Sequence, residues 1–117
     1  MARKYHPLKS RKAIQLVFNK GISLKSKNFA VKFLPSEKKG IYAVWAIPRN
    51  VKKAVFRNRL KRQGRATLDA VLQEYPQYLE LNLYIAFVLF PSFEKMAFAE
   101  KKKYFAKVLE DITKNLT

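Results

Sequence analysis

From Lys53 to Glu74 the apolar residues Phe56, Leu60, Leu68, Val71 and Leu72 recur at helical spacing, and Pro76 stands just beyond. No acidic residue occurs between Lys38 and Leu68. Eight cations, Arg49, Lys52, Lys53, Arg57, Arg59, Lys61, Arg62 and Arg65, crowd the start of this segment. On a helix, Arg57, Lys61 and Arg65 fall at i, i+4 and i+8 and form one stripe, with Asn58 and Arg62 as a second beside it. The apolar line through Phe56 and Leu60 occupies the neighbouring face. One helix can therefore pack inward and still present a cationic wall. Like charges at i, i+4 each cost an isolated helix a few tenths of a kcal/mol, about 0.2–0.5. Ordinary solvated faces avoid that cost by mixing signs. A phosphate backbone along the stripe turns the repulsion into attraction, and the arginine fork suits phosphate oxygens or a base edge. Asn58 can donate to and accept from a base or sugar.

The rest of the chain is consistent with a nucleic-acid partner. Its 117 residues suit one core, and 49% apolar content is enough to fill it. The net charge of +17 calls for a polyanion. With no cysteine, disulfides and cysteine-based zinc sites are excluded. Met1 to Ile14 lacks the apolar stretch of a signal peptide, and Leu83 to Pro91 is too short to span a bilayer as a helix. The expectation is a cytoplasmic protein with no membrane partner and no small-molecule substrate.

Residues 1–9 read as a basic, flexible arm, and 10–117 as a single domain. Ser10 caps a helix to about Asn19, ended by Gly21. Strands are expected at 28–34 and 41–47, with a weak one at 22–25 and a polar turn at 35–40 between the first two. The long helix follows, then a strand at 82–90. Ser92 is read as the cap of a last helix, 93–115. The order α-β-(β)-β-α-β-α is an α+β layout with helices packed on a small sheet.

Lys53-Ala54-Val55-Phe56-Arg57-Asn58-Arg59-Leu60-Lys61-Arg62-Gln63-Gly64-Arg65 resembles the signature helix of the protein component of bacterial ribonuclease P. The flanks agree in order, so the resemblance covers about residues 8–115. It implies a single αβββαβα sandwich similar to ribosomal protein S5 domain 2, with a left-handed β-α-β crossover against the general preference. It implies an endoribonuclease whose catalytic centre lies in a partner RNA. The holoenzyme removes the 5′ leader of precursor tRNA with Mg²⁺, bound mainly by RNA. By match to the motif, Arg57, Asn58, Arg59, Lys61, Arg62 and Arg65 inherit RNA binding, with Arg49 and Lys53 beside them. Phe18, Ile14, Lys32 and Asn50 are assigned to a cleft for the leader.

Some positions depart from that pattern. Ile14 replaces a second aromatic, Asn50 a lysine, and Lys52 a turn glycine. If the turn still needs positive φ, Lys52 carries strain. Gly64 stands mid-helix at a cost of about 1 kcal/mol relative to Ala, and marks close backbone packing. No catalytic or metal-binding residue is assigned on this chain. His6 reads as a bystander, and adjacent Glu110 and Asp111 diverge on a helix. The alternative is a structural RNA-binding protein of the ribosomal type, which composition fits equally.

Overall fold

Two strands that neighbour each other in sequence, β3 (Phe29–Pro35) and β4 (Ile41–Ala46), do not touch. β5 (Leu83–Leu89) lies between them, antiparallel to β3 and parallel to β4. The short strands β2 (Ile22–Lys25) and β1 (His6–Pro7) close the two edges, giving the order β1-β4-β5-β3-β2. These relations come from a computed structural model, which describes residues 4–116. Three helices complete it: α1 (Arg11–Lys20), α2 (Ala54–Glu74) and α3 (Phe98–Leu116).

Strand alternation sorts the side chains onto two faces. Phe29, Val31 and Phe33 of β3, Ile41 and Ala43 of β4, and Leu83, Ile85, Phe87 and Leu89 of β5 are buried in the core with α2 and α3. Val31, Phe87 and Trp45 lie in one cross-strand row. Trp45 stacks on Phe87 at 4.5 Å and Phe87 on Phe105 of α3 at 4.7 Å. The opposite face packs Ala13, Ile14, Val17 and Phe18 of α1 against Leu34, Tyr42, Val44, Tyr84 and Ala86.

Gly64 is buried where α2 crosses this stack. A Cβ there would lie 2.7 Å from Cζ3 of Trp45 and 2.8 Å from Cδ1 of Leu89. The indole cannot retreat, because Phe87 supports it. Glycine is thus required by packing, and its lower helix propensity is the lesser term. We expect Gly64→Ala to destabilise the fold by about 1–3 kcal/mol, the range for overpacked cores. A lower urea midpoint would show it, and Trp45→Val in the same chain should restore part of the loss. A neutral or stabilising Gly64→Ala would refute the packing account.

Three expectations need correction. The arm read at residues 1–9 is part of the fold from Lys4 on. Tyr5 and Leu8 are buried, β1 pairs with β4, and the Lys4 amide donates to Asp69 Oδ1 at 3.1 Å. The last helix does not start at Phe93. Pro91–Lys95 is a 3-10 turn that buries Phe93 against Phe29 and Phe105, and the chain extends at Met96 before α3 begins. Glu100 then caps the new helix, accepting from the Ala97 amide at 3.3 Å. Lys52 carries no left-handed strain, since no described residue other than Gly40 has positive φ.

Candidate RNA interface

The start of α2 is built with the wrong charge for a helix in isolation. Its first turn has no acidic residue, and the N-cap is Lys53, whose side chain cannot accept from the free amides. Positive charge at the positive end of the helix dipole is unfavourable unless an anion joins it.

Arg57 fixes the entry to the helix. Its Nη1 donates to the carbonyls of Pro48 at 3.0 Å and Val51 at 2.9 Å. The Val51 amide in turn donates to Pro48 O at 3.1 Å. Arg57 therefore clamps the connection 48–52 to α2, with Nε and Nη2 making no hydrogen bond to the described residues. Arg57→Ala should cost about 1–3 kcal/mol of stability, because buried Val51 loses the partner of its carbonyl. Arg57→Lys should recover only part, since an ammonium lacks the planar fork. Equal urea midpoints for wild type and Arg57→Ala would show that the clamp carries no load.

The predicted stripes separate in space. Asn58, Arg59 and Arg62 are exposed, and Arg59 is tied to Glu94 at 3.1 Å. Such a pair at the surface contributes under about 1 kcal/mol and yields easily to phosphate. Lys61 and Arg65 are half-buried and turn toward the edge of the sheet, lining a recess with Tyr5, Leu8, Val44 and Trp45. Arg49, Asn50 and Lys53 are exposed around the connection. No hydrogen bond ties Asn50 to α1 or the sheet.

The residues assigned to a leader cleft gather on the α1 side, Asn50 excepted. Ile14 and Phe18 are half-buried against the sheet, and the Lys32 ammonium donates to the Phe18 carbonyl at 2.8 Å. Sequence reading missed the floor beside them. His6, Tyr42, Tyr84 and Leu34 form one row across four strands. His6 stacks on Tyr42 at 4.8 Å, and Tyr42 meets Tyr84 edge-on at 6.0 Å. The alternation in Ile41-Tyr42-Ala43-Val44 carried a signal for Tyr42, but both faces are apolar there, so no one face stood out.

Lys101 is an unanticipated buried cation behind α2. Its ammonium donates to Gln63 Oε1 at 3.1 Å and lies 5.0 Å from the centre of the Phe93 ring. Burial pushes its pKa down, and Glu94 partly opposes that. On the far side, burial raises the Tyr78 phenol, with Glu110 and then Tyr75 adding to the rise. Among the described residues no three or more His, Asp or Glu gather into a possible metal site.

A five-stranded α+β domain carrying a helix that is cationic and without acids from Ala54 to Leu68 is the architecture of an RNA-binding protein. The ribonuclease P family model matches residues 1–113, and the chain belongs to the family of bacterial ribonuclease P protein components. It is the protein subunit of an endoribonuclease whose catalytic centre is in RNA. The fold is that of solved ribonuclease P proteins. One from Staphylococcus aureus superposes with a TM-score of 0.70 at 18% identity, covering 92% of this chain and 94% of that one. One from Thermotoga maritima gives 0.71 at 21% identity, covering 91% and 96%. No curated protein sequence matches the chain. No helix among the described residues is long and apolar enough to cross a membrane.

Proposed function

We propose that this subunit grips the ribonuclease P RNA with the exposed face of α2 and guides the 5′ leader of precursor tRNA along the α1 side of the sheet. Asn58, Arg59 and Arg62 meet the RNA, with Lys61, Arg65, Arg57, Arg49 and Lys53 around them. The observation that carries this reading is the helix face itself: cations with a single weak acidic partner, Glu94, at a helix end that lacks any capping anion. Phe18, Ile14 and Lys32 line the leader's path, and the row of His6, Tyr42 and Tyr84 offers flat rings for its bases. Each well-stacked base would contribute about 1–3 kcal/mol.

The family implies a Mg²⁺-dependent holoenzyme. Among the described residues the carboxylates do not gather into a site for it; in this reading RNA would hold most of the ion, which would supply an activated water for hydrolysis. The chain's own work is to neutralise phosphate repulsion and hold substrate against catalyst. It would do so in the cytoplasm.

Reconstitution tests this. Added to bacterial ribonuclease P RNA at low Mg²⁺, the protein should stimulate leader removal from precursor tRNA and tighten substrate binding. Tightening should grow as the leader is lengthened from none to several nucleotides. Absence of stimulation at any protein excess would defeat the assignment of RNA partner, and stimulation indifferent to leader length would defeat the assignment of the cleft.

A further inference from the structure

The recess beneath Lys61 and Arg65 has a chemistry distinct from the open helix face. It measures about 210 Å³ and lies between α2, the β1 segment and β4. No acidic residue lines it, and neither Lys61 nor Arg65 has an ion-pair partner among the described residues. Its inner wall is apolar and aromatic: Tyr5, Leu8, Val44 and Trp45. The indole Nε1 of Trp45 is buried with no acceptor among the described residues.

The sheet adds a third element. β1 pairs with β4 only at Tyr42 and Ala43, and the last bond across that edge runs from the Leu8 amide to the Ala43 carbonyl at 2.8 Å. Beyond it β4 continues to Ala46 with no outer neighbour among the described strands. Backbone groups on one edge of a strand repeat every second residue, so the amide and carbonyl of Trp45 lie on the same uncovered edge as Ala43 O. Two cations, a flat apolar wall and an unpaired donor–acceptor edge match the three parts of a nucleotide: phosphate, ring and hydrogen-bonding base edge. The size is below that of common drug-sized pockets, about 300 Å³ and up, and suits one base rather than a run of them.

We propose that this recess takes one unpaired ribonucleotide of the RNA partner, with its phosphate on Lys61 and Arg65 and its base against the edge of β4. This rests on the RNA-interface reading of α2 and makes it specific. A helix face that met only phosphate would bind a regular duplex as well as a looped strand. A recess for one extruded base favours RNA with an unpaired nucleotide at that point of contact.

The chain supplies its own probe, because Trp45 is its only tryptophan. The full-length protein is titrated with the four nucleoside 5′-monophosphates while Trp45 emission is followed, with tryptophan amide as the correction for absorbed light. Ribose 5-phosphate and inorganic phosphate are run at the same ionic strength. The expected result is a saturable change with a Kd on the order of 1 mM for at least one nucleotide, and none for the two phosphates without a base. Lys61→Ala and Arg65→Ala should each raise that Kd about tenfold. No saturable change, a change equal with inorganic phosphate, or indifference to both substitutions would overturn the proposal. Binding of the wild-type protein to ribonuclease P RNA is measured alongside. If that binding is salt-dependent while nucleotides leave Trp45 untouched, the recess fails and the helix interface stands. If the RNA does not bind at all, both fail together.

Discussion

A chain in which Asn58, Arg59 and Arg62 are all alanine should bind ribonuclease P RNA about a hundredfold more weakly, or worse, while folding normally. The three side chains are exposed, so their loss removes no core contact. Among the described residues the one side-chain interaction forfeited is Arg59 to Glu94, and that surface pair contributes under about 1 kcal/mol. Against RNA the same groups are charge-assisted donors, each worth about 1.5–3 kcal/mol when well placed. The diagnostic quantity is the slope of log affinity against log salt. It should shallow by about 1 for each lost phosphate contact, hence by about 2 for the two arginines. Asn58 carries no charge and should change affinity without changing slope. An unaltered slope in the triple variant would mean that this face does not meet phosphate, whatever happens to affinity.

Phe105→Ala should have the largest effect on stability of any single core change. The ring lies 4.7 Å from Phe87, 5.1 Å from Phe29 and 5.7 Å from Phe93, centre to centre, and is fully buried. It is the ring through which α3 meets both the central strand and the turn at Pro91–Lys95. Truncating a buried phenylalanine costs about 3–5 kcal/mol through lost transfer energy and the cavity left behind. That is a large share of a total of about 5–15 kcal/mol for a domain of this kind. Urea unfolding followed by circular dichroism would measure it. Phe105→Leu should recover more than half, since most of the volume returns. A loss under about 1 kcal/mol for Phe105→Ala would show that the aromatic stack is not the centre of the core.

Much of this organisation was legible in the sequence, for identifiable reasons. The period of Phe56, Leu60, Leu68, Val71 and Leu72 located α2, and the missing acids singled out the face proposed to meet RNA. Alternation located β3, and Ser10 with Gly21 bracketed α1; the Ser10 hydroxyl indeed accepts from the Ala13 amide. What escaped depends on contacts between distant residues. β1 is two residues long and contains a proline, so no local pattern announces it; it exists because β4 offers an edge. The turn at Phe93 has the composition of a helix start, and tertiary burial of one ring overrides it. Arg57 looked like its neighbours Arg59 and Lys61, and only the carbonyls of Pro48 and Val51 set it apart. Spacing placed Lys61 and Arg65 on one stripe but could not show that the stripe overhangs a sheet edge.

The strand order carries a consequence for how the chain reaches this state. Because β5 separates β3 from β4, the two halves of the sheet have no direct bond until residues 83–89 have been synthesised and have slotted between them. Closing that arrangement spans about half the chain and is entropically costly, a mark of slow, non-local folding. Before then α2 lacks the strand that fixes one side of it, while its cations are already part of the chain. The nascent protein is thus a basic, partly ordered segment emerging among RNA before its own scaffold exists. Premature capture by the wrong RNA is the hazard this topology creates, and rapid insertion of the strongly apolar β5 is what ends it.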